Sequence, residues 1–198
     1  MTDQAENGGA GHPLVLAIAL LIGVLASLVA APGAEGLFGA WLAALMIAIA
    51  CYDARHYRIP NVLTGAAFAL ALLRAGTFVP DAGAEALLWP VVRAAAAALP
   101  LLLLMLAYRR WRGRDGLGLG DVKLAAVCGA WLDLATVAAV IELAALLAIG
   151  AYVINALLQG KRLRGTAFLP FGLFLAPSIW IGWLGETWYL NWLGGWPG

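Results

Sequence analysis

The sequence predicts an all-α polytopic membrane protein with about seven transmembrane helices and its N-terminus in the cytoplasm. Three observations carry this prediction. Of 198 residues, 64% are hydrophobic and 12% charged, with a mean hydropathy of +0.90; soluble domains hold roughly 45–50% apolar and 25% charged residues. The apolar residues fall in runs of the length needed to cross about 30 Å of hydrocarbon. The basic residues gather between alternate runs, as they do in cytoplasmic loops.

Taken in order, residues 1–12 hold no Lys or Arg and no small-residue cleavage site, so the run behind them reads as a retained span rather than a removed signal peptide. They form a short cytoplasmic tail, and residues 13–198 a single membrane-embedded domain. The spans cover approximately 13–31, 37–52, 61–79, 86–108, 121–132, 136–158 and 168–184. Arg55 and Arg58 follow the second span. Arg109, Arg110, Arg112, Arg114 and Lys123 lie around the fourth connection, and Lys161, Arg162 and Arg164 before the last span. These are all but two of the 12 basic residues. The opposite loops carry Glu35, Asp81, Glu85, Asp133 and Glu186 and no Lys or Arg, which puts the C-terminus outside. Trp180, Trp183, Trp188, Tyr189, Trp192 and Trp196 read as an aromatic belt at that outer interface.

The fifth span is too short for a simple crossing. Residues 122–132 make about 16 Å of helix, so either the bilayer thins or Asp121 is drawn inward. The expectation is that Asp121 lies below the lipid headgroups in a water-reachable pocket. The competing topology is a re-entrant hairpin over residues 121–158. Arg74, Arg93 and Glu142 share a depth in the outer halves of their spans and are expected to form a structural ion cluster.

A formal net charge of +1 marks no nucleic-acid partner. Cys51 and Cys128 form no Cys-x-x-Cys pair, which argues against a zinc site and a disulfide framework. They read as small buried apolar residues. No metal or cofactor is expected, and oligomeric state is not indicated.

Two carboxylates stand where charge is costly. Asp121 follows the Gly-x-Gly turn of Gly118-Leu119-Gly120 and opens an apolar run; Asp53 closes another, ahead of Arg55, Arg58 and Asn61. The derived topology puts both at cytoplasmic helix ends and at similar depth. Asp121 as a simple N-cap, and Asp53 as an ion-pair partner of Arg55 or Arg58, are the structural alternatives. Ionisable groups at membrane depth are functional candidates by default. Two of them converging can hydrolyse a peptide, one as base on a water and the other as acid toward the carbonyl oxygen. Helix dipoles predict Asp121, at an N-terminus, as the ionised member and Asp53, at a C-terminus, as the protonated one. Gly118 and Gly120 would admit a substrate strand close to Asp121.

These residues carry a resemblance. Asp53 with Arg58-Ile59-Pro60-Asn61, then residues 118–124 with Gly129-Ala130-Trp131-Leu132, then Leu169-Pro170-Phe171-Gly172-Leu173-Phe174, resemble the bacterial type IV prepilin peptidase family, a group of GxGD aspartyl proteases. The motifs run in order from about Cys51 to Ala176. The resemblance implies catalysis by Asp53 and Asp121. Their substrate would be a prepilin or pseudopilin, with its basic N-terminal leader in the cytoplasm and its hydrophobic helix in the bilayer. It implies a bacterial inner-membrane location, with the active site facing the cytoplasm. Asn61, Gly118, Gly120, Lys123, Pro170 and Gly172 are assigned to substrate binding, with Lys123 meeting a substrate carboxylate and Asp115 attracting the basic leader. Members that also methylate the product carry an extra segment with paired Cys-x-x-Cys motifs. This sequence has neither segment nor motifs, so peptidase activity alone is expected. The chain departs from the family pattern at Leu173, where many relatives have Pro, and at Asp133, where Gly is common; neither departure is expected to touch the acid pair.

Short chain length and Arg-Ile-Pro-Asn resemble the Tad pilus peptidases, whereas Gly113-Arg114-Asp115-Gly116 resembles the type II secretion and type IV pilus enzymes. A presenilin-like intramembrane protease would also use Tyr52-Asp53 and Gly118 to Asp121, but no Pro-Ala-Leu element is present. A proton-coupled transporter would use the same acids, but no two-repeat pattern is evident.

Overall fold

The computed structural model describes residues 11–78, 83–113, 118–160 and 170–194, and all regular structure among these residues is α-helical. Seven helices follow one another: α1 Gly11–Ala30, α2 Gly33–His56, α3 Asn61–Phe78, α4 Ala84–Arg112, α5 Leu119–Trp131, α6 Leu134–Leu158 and α7 Phe171–Trp192. The expected all-α, polytopic architecture is present. Five of the helices, α1, α2, α3, α4 and α6, are long and apolar enough to cross a membrane. α5, with 13 residues and so about 20 Å long, is not among them, in keeping with its short apolar run. α7 has 22 residues, but its Trp, Gly and Glu content dilutes its hydropathy.

Local chemistry sets the ends. Pro32 in extended conformation precedes α2, and Tyr57, with φ 51°, closes it in the left-handed region, its N–H reaching the Asp53 carbonyl at 2.9 Å. The expected second span therefore gains a turn at each end. Pro170 opens α7, which runs on past residue 184, where the expected last span stops.

Each helix runs opposite to the one before it. Asp53, Asn61, Leu119 and Phe171 meet at one end of the bundle, and Glu35, Arg74, Arg93, Asp133 and Glu186 at the other. α5 and α6 form an antiparallel pair joined at Leu132-Asp133, an arrangement shared by two crossings and by a re-entrant hairpin over residues 121–158. α4 packs on α5, α1 on α2, and α7 against both α2 and α6, with α3 touching α2, α4 and α5. Leu42, Met46, Ile49, Leu124, Leu175 and Ile179 fill the centre with no exposure. Leucines and isoleucines of α1, α4 and α6 cover the outside, as in a bundle whose solvent is lipid.

The far end is held by charge. Glu35, 1% exposed, accepts Arg74 Nε at 2.7 Å and Trp183 Nε1 at 3.0 Å, while Arg74 Nη1 reaches the Trp131 carbonyl at 3.4 Å. One carboxylate thus links α2, α3, α5 and α7. Arg93 pairs with Asp133 at 2.5 Å. The expected cluster is corrected here: Arg74 and Arg93 have separate acidic partners, and Glu142 is exposed on α6 and joins neither. The aromatic belt is corrected too. Trp183 is buried against Glu35 and Trp180 donates to Ser27 Oγ at 3.0 Å, whereas Trp188, Tyr189 and Trp192 are exposed. Cys128 is fully buried in the core.

Removing one member of a buried ion pair costs about 3–5 kcal/mol, because its partner is left uncompensated. Glu35→Ala should therefore lower the unfolding midpoint in detergent steeply. Glu142→Gln, at an exposed position, should move it by no more than about 0.5 kcal/mol.

Candidate active site

The near end gathers three separated motifs. Asp53 occupies the last turn of α2 and is only 4% exposed. A polar group that deep needs a donor. The donor is the backbone N–H of Leu173, 3.0 Å from Asp53 Oδ2, in the first turn of α7. The free N–H groups of a helix start form an anion site. Asp53 therefore faces the positive end of α7 as well as the negative end of its own helix.

Asp121 is half-buried in the first turn of α5. It is not the cap. Gly118 holds that position, and its N–H donates back to Asp121 Oδ2 at 3.3 Å, the reciprocal half of a capping box. The carboxylates of Asp53 and Asp121 are close enough for their charges to act on one another.

Ile59 joins the two sides. A Cβ at Gly120 would lie 3.0 Å from Ile59 Cβ, and one at Gly172 would lie 2.7 Å from Ile59 Cδ1 and 2.8 Å from Asp53 Oδ2. The starts of α5 and α7 therefore close on opposite sides of one isoleucine, and only glycine allows that approach. Ile59 was not singled out as a site residue. Its place between Arg58 and Pro60, in a link that joins two apolar runs, was the one available signal.

Other expected site residues divide. Lys123 Nζ donates to Asn61 Oδ1 at 2.8 Å, so these two are brought together across α5 and α3. Pro170 caps α7 beside Gly172. Asp115 lies outside the described residues, as do Arg114, Lys161, Arg162 and Arg164. Cys128 is fully buried two turns along α5. The departure at Leu173 does touch the acid pair, contrary to expectation, since a proline there would have no N–H to give Asp53. Among the described residues, no group of three or more His, Cys, Asp or Glu side chains is arranged to hold a metal ion.

Known proteins carry the same sequence pattern. A family model described as the type IV leader peptidase family matches residues 40–154. A prepilin leader peptidase/N-methyltransferase of Dickeya chrysanthemi is 36% identical over 192 residues, covering 93% of this chain and 62% of that protein. The protein of the same name from Aeromonas hydrophila is 32% identical over 187 residues, covering 92% and 62%. Leader peptidase HopD of Escherichia coli is 34% identical over 142 residues, covering 71% of this chain and 88% of that protein. The chain thus spans 62% of the length of the first two relatives. No solved structure matches it.

Gly172→Ala should cost about 1–3 kcal/mol through overpacking, read as a lower unfolding midpoint. Adding Ile59→Val, which deletes the clashing Cδ1, should recover part of that loss. A double variant no more stable than Gly172→Ala alone would mean that Ile59 does not set the spacing.

Proposed function

The chain belongs to the type IV leader peptidase family, and from that premise we propose that it is a membrane aspartyl endopeptidase that removes the basic leader from a prepilin or pseudopilin. The single observation that carries this reading is the convergence of Asp53 and Asp121 on one buried site between the starts of α5 and α7.

The chemistry follows from the unequal surroundings of the two acids. Asp53, facing the Leu173 N–H, is the ionised base that takes a proton from water. The resulting hydroxyl attacks the scissile carbonyl carbon. Asp121 carries the proton in the resting pair and gives it to the carbonyl oxygen. When the resulting gem-diol collapses, the C–N bond breaks, the leaving amine takes up the proton held by Asp53, and one hydroxyl of the gem-diol returns its proton to Asp121, which restores both acids. The pair titrates as a unit, so the roles are those of one microstate.

Gly118, Gly120 and Gly172 are proposed to bind the substrate through their backbone, Gly120 and Gly172 by bringing the starts of α5 and α7 close to the acids around Ile59, and Pro170 fixes the start of α7 next to them. Asn61 and Lys123 supply a polar edge where the substrate's own carboxylate can exchange with the Asn61 amide. Asp115, three residues ahead of Gly118 in the sequence, is proposed to draw in the basic leader. The bias of basic residues toward this end supports an inner-membrane enzyme whose site faces the cytoplasm, with the substrate's hydrophobic helix in the bilayer and its leader outside it.

The test is cleavage of a pilin-like peptide with a basic leader by the purified full chain in detergent. Asp53→Ala and Asp121→Ala should each abolish it while folding is retained; a variant that still cleaves at the wild-type rate rejects the dyad.

A further inference from the structure

The far end of the bundle, away from the acid pair, is rich in carboxylates. Glu35, Asp133 and Glu186 meet there with Arg74 and Arg93; Arg74 pairs with Glu35 at 2.6 Å and Arg93 Nη1 with Asp133 at 2.5 Å, while Arg93 Nε is buried without a hydrogen-bond partner. Glu186 has neutral donors only: the Asp133 backbone N–H at 2.8 Å and the Thr136 side chain. Among the described residues no cation lies within ion-pair distance of it.

Glu186 lines a groove of about 270 Å³ between α6 and α7. Val140, Leu143 and Ile181 form apolar walls, and Thr136 and Tyr189 flank the carboxylate. Ile181 and Tyr189 are exposed, 44% and 57%, so the groove opens sideways on the surface that faces lipid. Its size is at the small end for ligand pockets. A headgroup and the first methylenes of one chain fit; a whole lipid does not.

We propose that this groove holds a lipid with a primary-ammonium headgroup, of the phosphatidylethanolamine type, whose ammonium pairs with Glu186 and whose chain follows Val140, Leu143 and Ile181. Three N–H donors match a carboxylate with accepting capacity to spare. Arg74 acts on Glu186 only through space, and a bound ammonium adds the ion pair at contact that this acid lacks among the described residues. A quaternary choline headgroup has no such donors, and a glycerol headgroup has no positive charge.

Native mass spectrometry of the full chain, released from detergent micelles doped with equal amounts of each lipid, tests this. Wild type should retain phosphatidylethanolamine about tenfold better than phosphatidylcholine or phosphatidylglycerol, the difference expected for one charge-assisted pair. Glu186→Gln still accepts the Asp133 N–H, so its unfolding midpoint should hold while the preference disappears. Leu143→Phe, which fills the groove and leaves the carboxylate intact, should lose the lipid as well. Equal retention of the three lipids by wild type, or an undiminished preference in Glu186→Gln, overturns the proposal. So does selective retention of added dodecylamine with no retention of phosphatidylethanolamine, which would make the ligand a free amine rather than a lipid.

Discussion

A carboxylate cannot sit between apolar helices without a partner, and Glu35 binds two. Through Arg74 and Trp183 it fastens α3 and α7 to α2, and Arg74 carries the connection on to the end of α5. Those four helices are the ones whose opposite ends bear Asp53, Asn61, Asp121 and Gly172. Pinning them at one end fixes how they can converge at the other. Trp131 strengthens the arrangement by donating to the Ala67 carbonyl at 3.0 Å, with Arg74 5.5 Å from its ring centroid. The bundle is therefore polar where it is held and polar where chemistry is proposed, with an apolar core between.

At the proposed catalytic end, rigidity comes from close approach rather than from ion pairs. Glycine at positions 120 and 172 lets two helix starts press on Ile59, and the N–H groups at those starts then serve the two carboxylates. The same feature, a first turn with unsatisfied donors, acts on Asp53 from a neighbouring helix and on Asp121 from its own chain. Each carboxyl thus accepts a backbone donor, Asp53 from Leu173 and Asp121 from Gly118.

Much of this is legible in the sequence, because charges at the ends of apolar runs are conspicuous and basic residues favour one side. Asp53, Asp121, the seven helices and the shortness of the fifth follow from those two rules. Glu35 is not legible as a core residue: Pro32-Gly33 ahead of it reads as a loop, whereas α2 begins there and turns the acid inward. Glu142 fails for the opposite reason. Depth along a helix can be counted, but the direction of a side chain around the bundle depends on which neighbours pack there. Trp183 and Leu173 teach the same lesson. An indole near a chain end reads as interfacial until a buried acid claims its N–H, and a backbone donor has no signature in the side-chain pattern.

The unequal lengths of α4 and α5 have a consequence for any polypeptide that approaches the acids. The two helices are level where Gly129 lies against the Arg93 backbone; from there α5 returns to Asp121 in about 12 Å, while α4 runs about 24 Å to Arg109. The arginine-bearing end of α4 thus overhangs the carboxylates by about 12 Å. An extended chain covers some 3.3–3.6 Å per residue, so it must contribute three or four uncoiled residues merely to bridge that drop. For a peptide cleaved at the proposed site, the overhang would work as a ruler, measuring how far the susceptible bond must stand from any bulky folded unit.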